Sequence, residues 1–217
     1  MTASPEPAFL AARPLLVVRS LLLHDFLHEI GHPIGLLGMM AFGMADGDEQ
    51  QPVTLSRQRA GRLAAAVDGL AQACEMMRSI GIPLRGAAHP EEQWQIIARR
   101  LETVSKLARA RPGAALEVVP ARCPVALNPA LAALEAIAVC IIKEVSDQLP
   151  AAAGGRIRIR LQHGGDDHVP PALDVSLGGS ALHLAPALVP VALWVADALG
   201  WRVLAAPDGI GLHIRQH

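Results

Sequence analysis

Apolar residues near the N-terminus recur at alternating spacings of four and three, and this rhythm constrains the fold more than any other feature. Leu23, Leu27, Ile30, Ile34, Leu37, Ala41 and Met44 form one series, and Leu63, Val67, Leu70, Cys74 and Met77 form a second. That spacing lines side chains along one seam of an α-helix, and a seam needs another helix to cover it. The first helix is predicted over about Phe9 to Met44. The second starts after Thr54 or Ser56, either of which can cap it, and ends at Gly81 and Pro83. Asp46 to Pro52 reads as a polar turn between them. Pro33 lacks a backbone donor and predicts a kink just after His28. Two seamed helices joined by a short loop make a hairpin. Two copies of such a hairpin close a four-helix bundle, so a homodimer is expected.

The period then changes. A helix is predicted over about Glu91 to Ala110, followed by short apolar runs at Ala115–Val119 and Val125–Leu127 that suit strands. Asn128-Pro129 opens another helix that runs through about Gln148. Arg156 to Leu161 alternates strictly between arginine and aliphatic residues, the signature of a strand with one buried face. Ala172–Leu177, Trp201–Ala205 and Leu212–Arg215 are further strands, with a helix over about Ala187 to Leu199 before the last pair. The chain therefore reads as α+β: a helical hairpin over residues 8–84, then an α/β sandwich over residues 89–217 with a mixed sheet and helices on one side.

Composition narrows the function classes. Of 217 residues, 52% are hydrophobic and 18% charged, so a packed core is available and disorder is excluded. Aromatics reach only 3% and the formal net charge is -1, which argues against a stacking surface or a basic field for nucleic acid. The three cysteines, Cys74, Cys123 and Cys140, share no metal-binding spacing and read as buried thiols in a reducing compartment. Leu15–Leu23 is apolar, but Arg13 and Arg19 interrupt it and no cleavage site follows, so neither a signal peptide nor a membrane span is expected. A cytoplasmic protein is the expectation.

One segment concentrates chemistry: His24-Asp25-Phe26-Leu27-His28-Glu29-Ile30-Gly31-His32-Pro33-Ile34. Its histidines lie one turn apart, which suits a solvated polar stripe on a bundle helix. His28-Glu29-Ile30-Gly31-His32 is also HExxH, two imidazoles at i and i+4 with a glutamate as general base, as in zinc proteases. Gly35 extends that pattern, but Gly38 stands where a third histidine ligand belongs, and too little chain precedes the motif for the sheet such enzymes need.

His28-Glu29-Ile30-Gly31-His32-Pro33-Ile34 also resembles the phosphoacceptor motif of bacterial histidine kinases, His-Glu-Leu-Arg-Thr-Pro-Leu. It matches the histidine, the acid, the aliphatic, the proline and the last aliphatic. His28 follows seam residue Leu27 and so sits beside the seam, open to a partner. Glu29 can orient its ring or take its proton. The order of elements is similar to that family's core from about residue 20 to residue 216. Leu116-Glu117-Val118-Val119, Asn128-Pro129-Ala130-Leu131, Gly154-Gly155-Arg156-Ile157 and Gly209-Ile210-Gly211-Leu212 fall where its ATP-binding domain has matching pieces.

The departures bear on function. Cys140 and Glu144 stand where that family carries asparagine for magnesium and phosphates. Asp174 lies inside a strand pattern and its glycines, Gly178 and Gly179, are misplaced for adenine binding. Only about Gly179 to Leu184 is left for the ATP lid. The resemblance therefore implies a degenerate ATP-binding half, no cofactor and no metal. It implies a dimeric histidine phosphotransfer protein with His28 and Glu29 as catalytic residues, His32 and Pro33 in support, and no autokinase activity. Its partners would be the receiver domain of a response regulator and an upstream histidine kinase, in a two-component phosphorelay. Arg57, Arg59 and Arg62 could contribute to receiver docking or form a solvated face. Open alternatives are a non-catalytic pseudokinase adaptor, a response-regulator phosphatase using Glu29 or His32, and the zinc metalloprotease.

Overall fold

Helix α1 spans Glu6–Ala45 in the computed structural model, which describes residues 6–45, 56–82, 90–108, 115–119, 128–148, 156–162, 172–178, 183–207 and 211–216. It runs as one α-helix through both Pro14 and Pro33, so proline does not end it. Helix α2 (Arg57–Ser79) begins at Ser56, whose hydroxyl accepts the Arg59 N–H at 3.3 Å. Its end is set by Gly81, which takes φ +67°, a conformation favourable to glycine. Arg19 of α1 donates to the carbonyl of Arg78 at 3.0 Å and pins the two helices together there. The 46–52 turn and Thr54 lie outside the described residues.

Helix α3 (Pro90–Ala108), strand β1 (Ala115–Val119) and helix α4 (Asn128–Gln148) follow in the expected order. The strand expected at Val125–Leu127 lies outside the described residues. Strands β2 (Arg156–Gln162) and β3 (Ala172–Gly178) come next, then helix α5 (Pro190–Ala198) and strands β4 (Trp201–Ala205) and β5 (Gly211–Gln216). The sheet order is β1-β2-β3-β5-β4, with β1 and β2 parallel and the other neighbours antiparallel. The architecture is α+β.

One expectation needs correction. A single helix over Ala187–Leu199 becomes a 3-10 turn at Pro186–Leu188 followed by α5. Pro190 has no N–H to continue a preceding helix, but it is well suited to the first turn of a new one. Gly178 closes β3 opposite Arg156.

The core sits between α4 and one face of the sheet. Ile137, Ile141 and Ile142 of α4 meet Ile157 and Ile159 of β2 and Leu173 and Ile214 beyond, all fully buried. β2 alternates without a break: its aliphatics point into the core and its arginines out. Trp94 of α3 is buried and donates its indole N–H to the Val119 carbonyl at 3.2 Å, tying α3 to β1.

α1 packs against α3, α4 and α5 as well as α2. The stripe it buries is Pro14, Val18, Leu22 and Asp25, and α2 buries Ala73, Met76 and Ile80. Neither is the heptad seam. Leu23, Leu27, Ile34 and Val67 of the seams are exposed, and Ile30, Leu37, Leu63 and Leu70 are half-buried. Cys74 is exposed for the same reason, which corrects its reading as a buried thiol, whereas Cys140 is buried as expected. Cys123 lies outside the described residues.

Candidate functional site

His28 stands midway along α1 with its side chain exposed, and His24 is exposed one turn before it. Between them, Asp25 turns inward. Its carboxylate lies 2.9 Å from the Lys143 ammonium of α4, and both groups are almost fully buried. Lys143 also meets Asp147 at 2.7 Å. Burial works against the Lys143 charge, but hydrogen bonds to Asp147 and Asp25 outweigh it and hold the ammonium above its ordinary range. The ion pair ties α1 to α4 at this turn. His28, one turn further on, is exposed.

Sequence reading did not find this brace. Its signal was present: Asp25 interrupts the Val18-Leu22 stripe, and Lys143 interrupts an otherwise buried run of α4. Buried charges of opposite sign want each other.

The side chains of Glu29 and His32 lie outside the described residues, so the orienting role of one and the pairing of the other with His28 keep the standing of expectations. Pro33 joins Ile30 and Leu36 in lining a groove of about 530 Å³ between α1 and α2. The α2 wall is Arg62, Ala65, Ala66, Gly69, Leu70 and Ala73. Of the three arginines singled out, Arg62 borders this groove, whereas Arg57 and Arg59 are exposed at the start of α2.

Cys140 and Glu144 of α4, singled out in the sequence, have structural work. Glu144 accepts the backbone N–H groups of Val191 at 2.8 Å and Ala192 at 3.0 Å. Both oxygens thereby cap the first turn of α5, where unpaired donors and the helix dipole favour a carboxylate. Burial raises the Glu144 pKa above the usual carboxylate range, and the two amide donors partly offset that. Cys140 is fully buried, and burial pushes its thiol pKa far up, with Glu144 adding to the effect. A thiol in that state is a packing group.

Asp174 belongs to a different surface altogether. It sits on the sheet face opposite α4, paired with His213 Nδ1 at 2.7 Å and with the amide of Gln162. The sheet therefore separates Asp174 from Cys140 and Glu144. Strand alternation decides this, because neighbouring Leu173 and Val175 take the core side. No helix among the described residues is long and apolar enough to cross a membrane.

No protein-family model matches the sequence, and no curated protein matches it. Solved structures resemble it at low identity. A bacterial phosphotransferase is 13% identical with a TM-score of 0.44, covering 100% of this chain and 98% of that one. The histidine kinase domain of the blue-light-activated histidine kinase of Erythrobacter litoralis is 11% identical with a TM-score of 0.38, covering 92% of this chain and 91% of that one. A second structure of that kinase is 11% identical with a TM-score of 0.37, covering 98% of this chain and 59% of that one. In outline the chain is similar to a bacterial phosphotransferase and to histidine kinase domains.

Proposed function

We propose that this chain is a histidine phosphotransfer protein in which His28 carries the phosphoryl group between receiver-domain aspartates. The observation that carries the reading is His28 itself: an exposed imidazole on a helix tied to α4 by the buried Asp25–Lys143 pair one turn before it. A phosphoacceptor must meet a second protein's acyl phosphate at a set angle, so exposure and rigidity are needed together. In the forward step an unprotonated ring nitrogen of His28 attacks phosphorus. The N–P bond forms, the P–O bond to the aspartate breaks, and the aspartate leaves as carboxylate. Glu29 stabilises the positive ring that results. The return step reverses each change with a second receiver.

On this reading ATP has no part. Glu144, at the position of a metal-holding asparagine, is committed to the α5 cap, and Asp174 lies across the sheet from it. The working unit is a dimer. The second copy covers the exposed stripe Leu16, Leu23, Leu27 and Ile34, together with Val67 of α2. The receiver meets α1 around His28 and the nearby wall of α2 that includes Arg62. A cytoplasmic site of action goes with such partners.

The test is transfer from receiver domains of the same organism, each charged with labelled phosphate by a low-molecular-weight phosphodonor. The protein should take up acid-labile, base-stable label from at least one receiver, and His28→Ala should reduce uptake to background. Unchanged uptake in His28→Ala would overturn the proposal, as would direct labelling by Mg-ATP. If no receiver transfers label but one binds equally to both forms, the adaptor reading replaces it.

A further inference from the structure

The sheet has a second face, turned away from the helix layer and hence away from α1 and His28. Its described residues are strongly biased in charge. Arg156, Arg158 and Arg160 of β2, Arg202 of β4 and Arg215 of β5 all stand on it, against two carboxylates, Glu117 and Asp174. The whole chain has a formal net charge of -1, so this is a local concentration of positive charge on a chain that carries no basic excess.

The two carboxylates are already engaged. Glu117 takes Arg158 at 3.1 Å and Arg156 at 3.4 Å, and Arg158 beside it holds its carboxyl below the usual range. Asp174 faces Arg160 across the strands, yet it pairs with His213 and Gln162 instead. Arg160 and Arg215 are left with no side-chain ion pair or hydrogen bond among the described residues. Beside Arg160 lies a cleft of about 420 Å³ lined by Arg158, Arg160, Gln162, Asp174, Ser176 and His213, among others, and Arg215 stands two residues beyond His213 on the same face. Because a carboxylate can only accept, the hydrogen bond to Asp174 takes the proton on His213 Nδ1 and does not engage Nε2.

We propose that this open sheet face docks an acidic polypeptide segment, with Arg160 and Arg215 each taking one of its carboxylates. Spacing favours a chain over a compact anion. Arg160 and Arg215 are two strands and two residues apart in register. That is roughly 12 Å, or about four residues of extended peptide. The charge of Asp174 on the cleft floor repels a single dense anion placed midway, while His213 Nε2 and the Ser176 hydroxyl suit peptide groups there. Among the described residues the face carries no Phe, Trp or Tyr to stack bases, which disfavours single-stranded nucleic acid. Guanidinium forks match carboxylates in two parallel bonds, so each pairing is specific as well as electrostatic.

The experiment is fluorescence anisotropy of the full chain with a fluorescein-labelled Ser/Gly peptide bearing glutamate at every fourth position. Saturable binding should weaken about tenfold or more in Arg160→Glu/Arg215→Glu, should fall as salt rises, and should be absent for the peptide with Gln in place of Glu. Both arginines are exposed, so the variant should keep its circular dichroism spectrum and its His28-dependent phosphotransfer, which separates this site from that one. Binding unchanged in the double variant, or no saturable binding, would overturn the proposal. So would displacement of the peptide by inorganic phosphate or by a single-stranded RNA at lower concentration than an unlabelled copy of the peptide.

Discussion

Helices α1 and α4 are both long and rich in aliphatic residues, but they solve the burial problem differently. From Leu131 to Val145, α4 is buried on nearly every side, with Lys143 and Glu144 admitted only because each has partners. α1 buries one narrow stripe and leaves Leu16, Leu23, Leu27, Ile34 and Met39 in water. The core draws on both halves, with Val18 and Leu22 of α1 and Met76 and Ile80 of α2 joining the sandwich residues, whereas the other side of α1 presents exposed apolar side chains among the described residues.

That contrast can be broken most decisively at the seam. Leu23→Glu combined with Ile34→Glu should convert a dimer to monomer at micromolar concentration in light-scattering measurements, with the near-UV signal of Trp94 and Trp201 unchanged. A wild-type chain that is monomeric throughout would remove the contrast. Next in size, Ile141→Ala should cost about 2–5 kcal/mol in denaturant unfolding through the cavity it leaves. Because α4 is satisfied within its own chain, that cost should not depend on which seam residues are present.

A third measurement concerns Glu135 of α4, which is fully buried and accepts from the Gly81 N–H at 3.0 Å and from Arg100 at 3.3 Å. Burial pushes its pKa up to about 7, with Arg100 opposing the rise. The folded state thus holds a proton that the unfolded state releases near 4.5. Stability should therefore fall as pH rises from about 4.5 to 7, by roughly 3 kcal/mol at ~1.4 kcal/mol per pH unit, and then level off. Glu135→Gln should flatten that slope. An unchanged pH profile in this variant would show that the junction of α2, α3 and α4 is not where the proton is bound.

The smallest effect is expected at the brace. Asp25→Ala should cost about 1–3 kcal/mol, less than a wholly orphaned charge because Lys143 keeps Asp147. It should also slow phosphotransfer to His28 without removing the acceptor. A stability loss with unaltered transfer would mean that the brace holds α1 in place but does not orient His28.

Much of this was written in local sequence. The alternation of Arg156–Leu161, the Asn128-Pro129 helix start and the Ser56 cap depend on near neighbours, and each element appears where its pattern placed it. The heptad positions announced helices with certainty and burial without it. A four-three series states that a face is apolar, not which molecule covers it. In the single chain the covered stripe is the neighbouring one, Val18-Leu22-Asp25. His28 was legible as a candidate because its motif is contiguous, and the structure leaves it exposed.

What only the tertiary structure decided are the long-range pairings. Asp25 meets Lys143, Glu144 caps a helix that starts far along the chain, and Asp174 turns its back on both because strand alternation sends it to the other face. Sequence by itself determined periods and caps, since these are set by interactions within a few residues. Which buried charges meet, and which apolar face stays open, depends on how whole elements pack. The energy of a buried charge is set by a partner that local sequence does not name.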